Sequence, residues 1–367
     1  MSLRTEKREP NTLIRNFVTC VLIVLFARST ITSAKAQSRD ASEPGPPLLR
    51  TDSTFVWVPA LVKTHTGRTT SHMDVSRWHL IDNGTPEKVT EIDTVGLPIS
   101  LIVLMQTGGS ASKFLSSYLD LPGLISGLVG ASVHEITLVT FDSRVEEIWH
   151  FPARTDGVDY ALTHQHSGDK GAAIKDAVAF GVRQLQGEPG RFRRIVLLLS
   201  QGSDVGSSTP SRELLEQLGT SSTVVYSLTF ADEKSHAAQM HEKKDTSSIN
   251  EALTRCDRAL NDQTAEEVAY LTGGANFQFD DRNDFNFAML KTISDFHSGI
   301  TLGFQPSHHE VGFHRIEVRG DSPKLRVTAR RAYLCLAIIN ICFRIKCING
   351  VSEFAHFHVK LVSWCAS

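Results

Sequence analysis

The side chains able to do chemistry are scattered along this chain. Fifteen histidines invite a search for metal ligands. His164 and His166 lie two apart, and His308 and His309 are adjacent, beside Glu310. Neither group has a third ligand fixed by a neighbouring element, as zinc requires, so both read as surface histidines in loops. The six cysteines are Cys20, Cys256, Cys335, Cys342, Cys347 and Cys365. Cys342 and Cys347 are followed by His356 and His358, but those histidines stand closer together than finger spacing allows. Unpaired or disulfide-bonded thiols are the plainer reading. An exported hydrolase would carry a Gly-x-Ser-x-Gly elbow or a His-Glu-x-x-His helix, and the chain has neither. The sequence therefore points away from an enzyme, and no segment cradles phosphates.

A second set of polar residues follows apolar runs. Gln106-Thr107-Gly108-Gly109-Ser110 comes after Ile99–Met105, and Gln201 and Asp204 come after Ile195–Leu199. Asp142 and Asp169 lie between them, and Ala172 follows Asp169 closely. Each of the three aspartates has an ordinary reading as a turn or cap residue.

The elements that must hold these residues are legible as patterns. The start is basic (Arg4, Lys7, Arg8, Arg15), an apolar run follows over Phe17–Ala27, and Ala34-Lys35-Ala36 closes it. This is the three-part pattern of a secretory signal peptide over residues 1–36, with cleavage expected before Gln37. The run is about half of the ~20 apolar residues a spanning helix needs. Glu43-Pro44-Gly45-Pro46-Pro47 makes residues 37–53 a stiff linker. Residues 54–95 read as a small β unit, with Phe55–Val58, Leu61-Val62, and a hairpin in which Asp82-Asn83-Gly84 joins Trp78–Ile81 to Lys88-Val89-Thr90.

From residue 96 to 298, apolar strands alternate with helical spacing, which predicts a doubly wound α/β fold with a mainly parallel sheet. Its strands are Ile99–Met105, Val133–Phe141, an antiparallel edge over Arg144–Phe151, Ile195–Leu199, Val224–Phe230 and a short one at Phe277–Phe279. Helices are expected near Phe114–Leu119, where Pro122-Gly123 interrupts, and over 172–185, 212–218, 251–271 and 283–297. Residues 232–250 read as a solvated polar insertion or a frayed helix start. Arg191, Arg193 and Arg194 read as a solvated strand entrance. Strands over residues 299–333 return to β and are expected to complete a sandwich with residues 54–95. Residues 334–367 read as an atypical, cysteine-rich tail, either a covering strand pair or sequence that extends past the natural end of the fold. The net charge of -2 provides no global field for nucleic acid or anionic membrane.

The order of these elements resembles the von Willebrand factor A fold. It is similar in particular to the von Willebrand factor A-related exported proteins described chiefly in acidobacteria. The matching segments span about residues 54–333: Ile81–Val89, Leu138–Val145, Ile195–Asp204, Leu302–Pro306 and Arg330–Tyr333. The resemblance implies a divalent cation where loops converge at the carboxyl ends of the strands, held by Asp-x-Ser-x-Ser, a later Thr and a second Asp. This sequence departs from that pattern. Gln106 stands for the first Asp, Gly108 for the first Ser, Ala172 for the Thr and Gln201 for the second Asp, while Ser110 keeps its hydroxyl. The expectation is therefore no metal and no cofactor, with Ser110, Gln106, Gln201 and Asp204 as binding residues. Whether Asp142, Asp169 or Asp204 rebuild a cation site stays open on the sequence alone. The reading is a non-enzymatic, periplasmic or extracellular protein-binding or adhesion-type module, without a membrane span once the signal is removed, and with an unknown protein or cell-surface partner. A folded relic without a ligand, or an uncharacterised exported hydrolase, are the alternatives.

Overall fold

A computed structural model of the chain describes residues 55–64, 66–67, 75–92, 96–152, 156–164, 168–187, 193–230, 249–322, 324–335, 338–346 and 352–360. The expected signal peptide, its cleavage point, the linker, His166, Arg191 and most of the polar stretch 232–250 lie outside them. So do Cys347, Cys365 and the side chains of Cys342, His356 and His358.

The chain opens with β1 (Val56–Thr64), β2 (Trp78–Asp82), β3 (Thr85–Glu87) and β4 (Thr90–Ile92). The hairpin turns at Asn83 and Gly84, both at positive φ, as a two-residue turn that follows strand twist requires. The returning strand is Thr85–Glu87, pairing Asp82 with Thr85 and Leu80 with Glu87. It is not the expected Lys88–Thr90, because a two-residue turn places the partner immediately after Gly84. Thr90 instead begins a strand that joins another sheet.

The central region contains β5 (Ile99–Gln106), α1 (Leu121–Val129), β6 (His134–Phe141), β7 (Val145–Pro152), α2 (Asp156–Thr163), α3 (Ile174–Gly187) and β8 (Arg193–Ser200). It continues with α4 (Ser211–Thr220), β9 (Val224–Phe230), α5 (Ile249–Asp262), α6 (Thr264–Thr272), β10 (Asn276–Phe279) and α7 (Arg282–Ser298). The six strands lie in the order β10-β9-β8-β5-β6-β7, all parallel to their neighbours except β7, which is antiparallel to β6. The fold is thus doubly wound and mainly parallel. The order reverses between β5 and β8, so the topological switch point lies at the carboxyl ends of those two strands.

Every residue of β5 is buried, as a strand covered on both faces must be. Alternation divides its side chains between two cores. Leu101, Val103 and Met105 pack with Leu121, Ile125, Phe285 and Met289 of α1 and α7. Ile102 and Leu104 pack with Ile174, Val178, Val182, Leu214 and Leu218 of α3 and α4.

Four details differ from the expectations drawn from sequence. Pro122 sits in the first turn of α1, where its missing N–H costs nothing, so it begins a helix rather than interrupting one. Two 3-10 turns, Gly109–Lys113 and Leu115–Asp120, precede it. The single helix expected over 251–271 is two, α5 and α6, divided at Gln263, whose backbone is not helical. Arg193 and Arg194, the first two residues of β8, are not the solvated pair expected: Arg193 stacks 3.8 Å over the Phe296 ring and donates to the Phe296 carbonyl, and Arg194 donates to the Leu185 carbonyl at 2.7 Å.

After α7 come β11 (Ile300–Phe304), β12 (Gly312–Gly320), β13 (Leu325–Ala329), β14 (Ala332–Cys335), β15 (Ile338–Lys346) and β16 (Ser352–Lys360). β11 to β14 interleave with the first strands in two four-stranded sheets, β13-β1-β11-β4 and β14-β12-β2-β3. Val58, Trp78, Leu80, Leu302, Phe304 and Tyr333 share the core of this β unit. The tail is expected from residue 334, but β14 runs on to Cys335, which is buried in the same core. β15 and β16 pair with each other as a separate two-stranded sheet. Among the described residues no helix is long and apolar enough to cross a membrane.

Candidate functional site at the switch point

Gln106 is the last residue of β5, and Gln201 follows the last residue of β8. Parallel pairing sets Met105 against Leu199, so the two glutamines emerge side by side where the sheet splits. Gln106 is wholly buried and Gln201 is 6% exposed. Their amides engage each other. Gln106 Oε1 accepts from the Gln201 N–H at 2.9 Å, and Gln106 Nε2 donates to Gln201 Oε1 at 3.3 Å and to the Gly108 carbonyl at 2.9 Å. Gln201 Nε2 donates to the Ser203 carbonyl at 2.8 Å. Buried polar groups need such partners, and here each amide satisfies the other.

The three aspartates are occupied in the same way, by backbone. Asp142, buried at the end of β6, accepts from the N–H groups of Arg144 at 3.1 Å and Asp169 at 2.9 Å. Asp169 accepts from the N–H groups of Gly171 and Ser143, and its carboxyl lies below the usual carboxylate range, chiefly through the Ser143 hydroxyl. Asp204 accepts from the N–H of Lys175 in the first turn of α3 at 2.9 Å, so a residue from another loop caps that helix. Ala172 sits in an isolated antiparallel bridge with Val205, exchanging hydrogen bonds of 2.9 and 2.8 Å. Ser110 is half-buried on the first 3-10 turn.

Two further participants carried no clear sequence signal. Asp176 on α3 accepts from the N–H groups of Ser208 and Thr209, tying the loop after β8 to the helix. Glu146 on β7 lies within 3.4 Å of the Thr107 hydroxyl, and its carboxyl is pushed up by partial burial and by the nearby Asp142 carboxylate. Neither follows a strand end directly, so position in the sequence did not single them out.

A small divalent cation needs oxygen ligands with formal negative charge to offset its dehydration. The positions that would supply them here hold two neutral amides bonded to each other, a glycine and an alanine. That donor set does not fit such an ion. Among the described residues no three His, Cys, Asp or Glu side chains are grouped to hold a metal.

Gln106 and Gln201, expected as contact residues, are covered by their own loops, and the Asp204 side chain is 8% exposed. They shape the face from beneath. What the face exposes is Gly109, Asp169, Lys170, Val205 and Gly206.

No protein family and no curated protein matches the chain. Solved structures similar to parts of it include a von Willebrand factor type A protein from Catenulispora acidiphila, at 10% identity and a TM-score of 0.41, covering 78% of this chain and 64% of that one. BatB from Bacteroides thetaiotaomicron shows 14% identity and a TM-score of 0.36 over 55% of this chain and 99% of its own. Proximal thread matrix protein 1 from the mussel byssus, with a zinc-occupied MIDAS motif, shows 14% identity and a TM-score of 0.35 over 58% of this chain and 49% of its own. Likeness at this level leaves the fold class resting on the strand order and connections described above.

Proposed function

We propose that this chain is an exported, non-enzymatic protein-binding or adhesion-type module whose switch-point face works without a divalent cation. The observation that carries this reading is the buried Gln106–Gln201 amide pair, which holds together the two strand ends that a cation would otherwise bridge. The partner contacts the exposed rim of that face, with Lys170, Val205 and Gly206 as its surface and the half-buried Ser110 at its edge. Export rests on the basic start, apolar run and Ala34-Lys35-Ala36, and N-terminal sequencing of exported protein beginning at Gln37 tests it.

The binding test is capture from cell-envelope extract, run in chelator and in millimolar Mg²⁺, beside the rim variants Lys170→Glu and Val205→Asp. The expected result is one partner retained equally in both buffers and lost in the rim variants. Loss of capture in chelator, or a metal-dependent rise in melting temperature of the natural protein, would overturn the metal-independent reading, because a ligand of the native state raises its stability. No rim-dependent capture would favour the relic.

A further inference from the structure

We infer that the switch-point loops form a closed, glycine-interleaved clasp that occupies the cation's place, so that restoring the four ligand types does not restore a cation site. This rests on the metal-independent reading and goes further, because it assigns Gly108 a packing role instead of treating it as a lost serine. A Cβ built on Gly108 lies 2.5 Å from the Gly171 carbonyl oxygen, 2.7 Å from Asp142 Cβ and 2.8 Å from the Asp169 carbonyl oxygen. Real side chains do not approach so closely, and two of these neighbours are backbone, which cannot rotate away. The fit is mutual. A Cβ on Gly168 would lie 2.8 Å from the Thr107 hydroxyl and 2.9 Å from the Gly108 nitrogen. One on Gly171 would lie 2.6 Å from Ser143 Cα.

Hydrogen bonds fasten what the glycines allow. The Gly109 N–H donates to the Asp169 carbonyl at 2.7 Å, and the Gly168 N–H to the Thr107 carbonyl at 3.2 Å. The Ala173 N–H donates to the Asp142 carbonyl at 2.7 Å. The Asp142 carboxylate spans Arg144 and Asp169, and the Asp169 carboxylate spans Ser143 and Gly171. Three loops, after β5, between β6 and β7, and before α3, are thus stitched into one body. The Asp142 and Asp169 carboxylates are engaged by these N–H groups and, for Asp169, by the Ser143 hydroxyl. A hydroxyl added at residue 108 must push the Asp169–Gly171 backbone outward and break these bonds.

The test begins with the natural protein. Amide exchange at Ser143, Arg144, Asp169 and Gly171 is expected to be slow and unchanged by Mn²⁺; rapid exchange there would refute the clasp. Next, the variant Gln106→Asp/Gly108→Ser/Ala172→Thr/Gln201→Asp is titrated with Mn²⁺ by calorimetry. No saturable binding, with a lowered melting temperature, is expected. Binding with unchanged stability would overturn the clasp while leaving the metal-independent reading of the natural protein intact. If this variant fails to fold, Gly108→Ala decides, because it adds only the offending methyl. It is expected to lower the melting temperature and lose exchange protection at Asp169 and Gly171, and a neutral Gly108→Ala would sink the inference.

Discussion

Tyr333 donates its phenolic hydrogen to Asp82 Oδ2 at 2.7 Å, joining the last core strand of the β unit to its first hairpin across most of the chain. His314 completes the contact. Its Nδ1 lies 3.0 Å from Asp82 Oδ1, and its Nε2 lies 2.7 Å from the Glu310 carbonyl, which can only accept, so Nε2 carries a hydrogen. All three side chains are buried. Burial, then the bond to Asp82, pushes the Tyr333 phenol up from its ordinary value, which keeps it a donor at any working pH. The contact brings Ile81–Val89 and Arg330–Tyr333, remote in the sequence, together in space.

Removing this donor should weaken the β unit. Tyr333→Phe keeps the ring in the core and deletes one bond to a buried carboxylate, which costs about 2 kcal/mol. Chemical denaturation of the two proteins checks it. A change within error would mean that water or His314 replaces the phenol without loss.

Arg330 binds the β unit to the central domain. Its buried guanidinium donates to the carbonyls of Leu218, Gly219 and Ser221 at the end of α4, and to that of Ala332. Burial pushes its pKa down to about 10, so it stays charged at neutral pH, where it also complements the negative end of the helix dipole. Arg330→Met should cost about 3 kcal/mol by leaving these carbonyls unpaired. Arg330→Lys should recover only part of that, since an ammonium cannot reproduce the planar fork. Equal stability of the lysine variant and the natural protein would refute the fork.

The end of the fold can be located by truncation. Ending the chain after Cys335 keeps all of β14 and should leave cooperative unfolding intact, because β15 and β16 pair only in their own two-stranded sheet, a marginal structure by itself. Ending it after Tyr333 removes the buried Cys335 and two of the four β14 residues that pair with β12. That shorter form should melt clearly lower. Identical melts for the two truncations would show that the last two residues of β14 contribute nothing.

A pH effect is expected at α7. Arg282 grips Asp120 with two bonds, 2.9 and 2.6 Å, and Asn286 adds a third at 2.6 Å. The hydrogen bond from Arg282, and then that from Asn286, lowers the Asp120 pKa from 3.8 to about 2. A depressed carboxyl contributes stability above its unfolded pKa and loses it as pH falls through the folded one. The natural protein should therefore be more stable than Asp120→Asn at neutral pH, with the difference closing between about pH 4 and about pH 2. The pair is exposed, so the effect should also shrink in high salt. Parallel stability curves across that range would rule out the pair as its source.

By itself, the sequence determined the periodicities and the residue types at the strand ends. Ile99–Met105, apart from Ser100, and Ile195–Leu199 are apolar because both faces of a central strand are covered, so the doubly wound sheet is legible in the residues themselves. Asn83-Gly84 fixed a hairpin because few other pairs tolerate positive φ at both positions. The residue types at Gln106, Gly108, Ala172 and Gln201 are equally plain. What tertiary structure decided was everything that depends on distance between remote segments. The pairing of Gln106 with Gln201, the packing of Gly168 and Gly171 onto Gly108, the reach of Arg330 into α4 and of Tyr333 to Asp82 leave no periodic trace, because each links residues whose separation along the chain bears no relation to their separation in space. For the same reason Gly108 reads as a missing hydroxyl in the sequence and as a required absence of Cβ in the fold, and Arg193, a solvated charge by its sequence neighbours, lies stacked on Phe296.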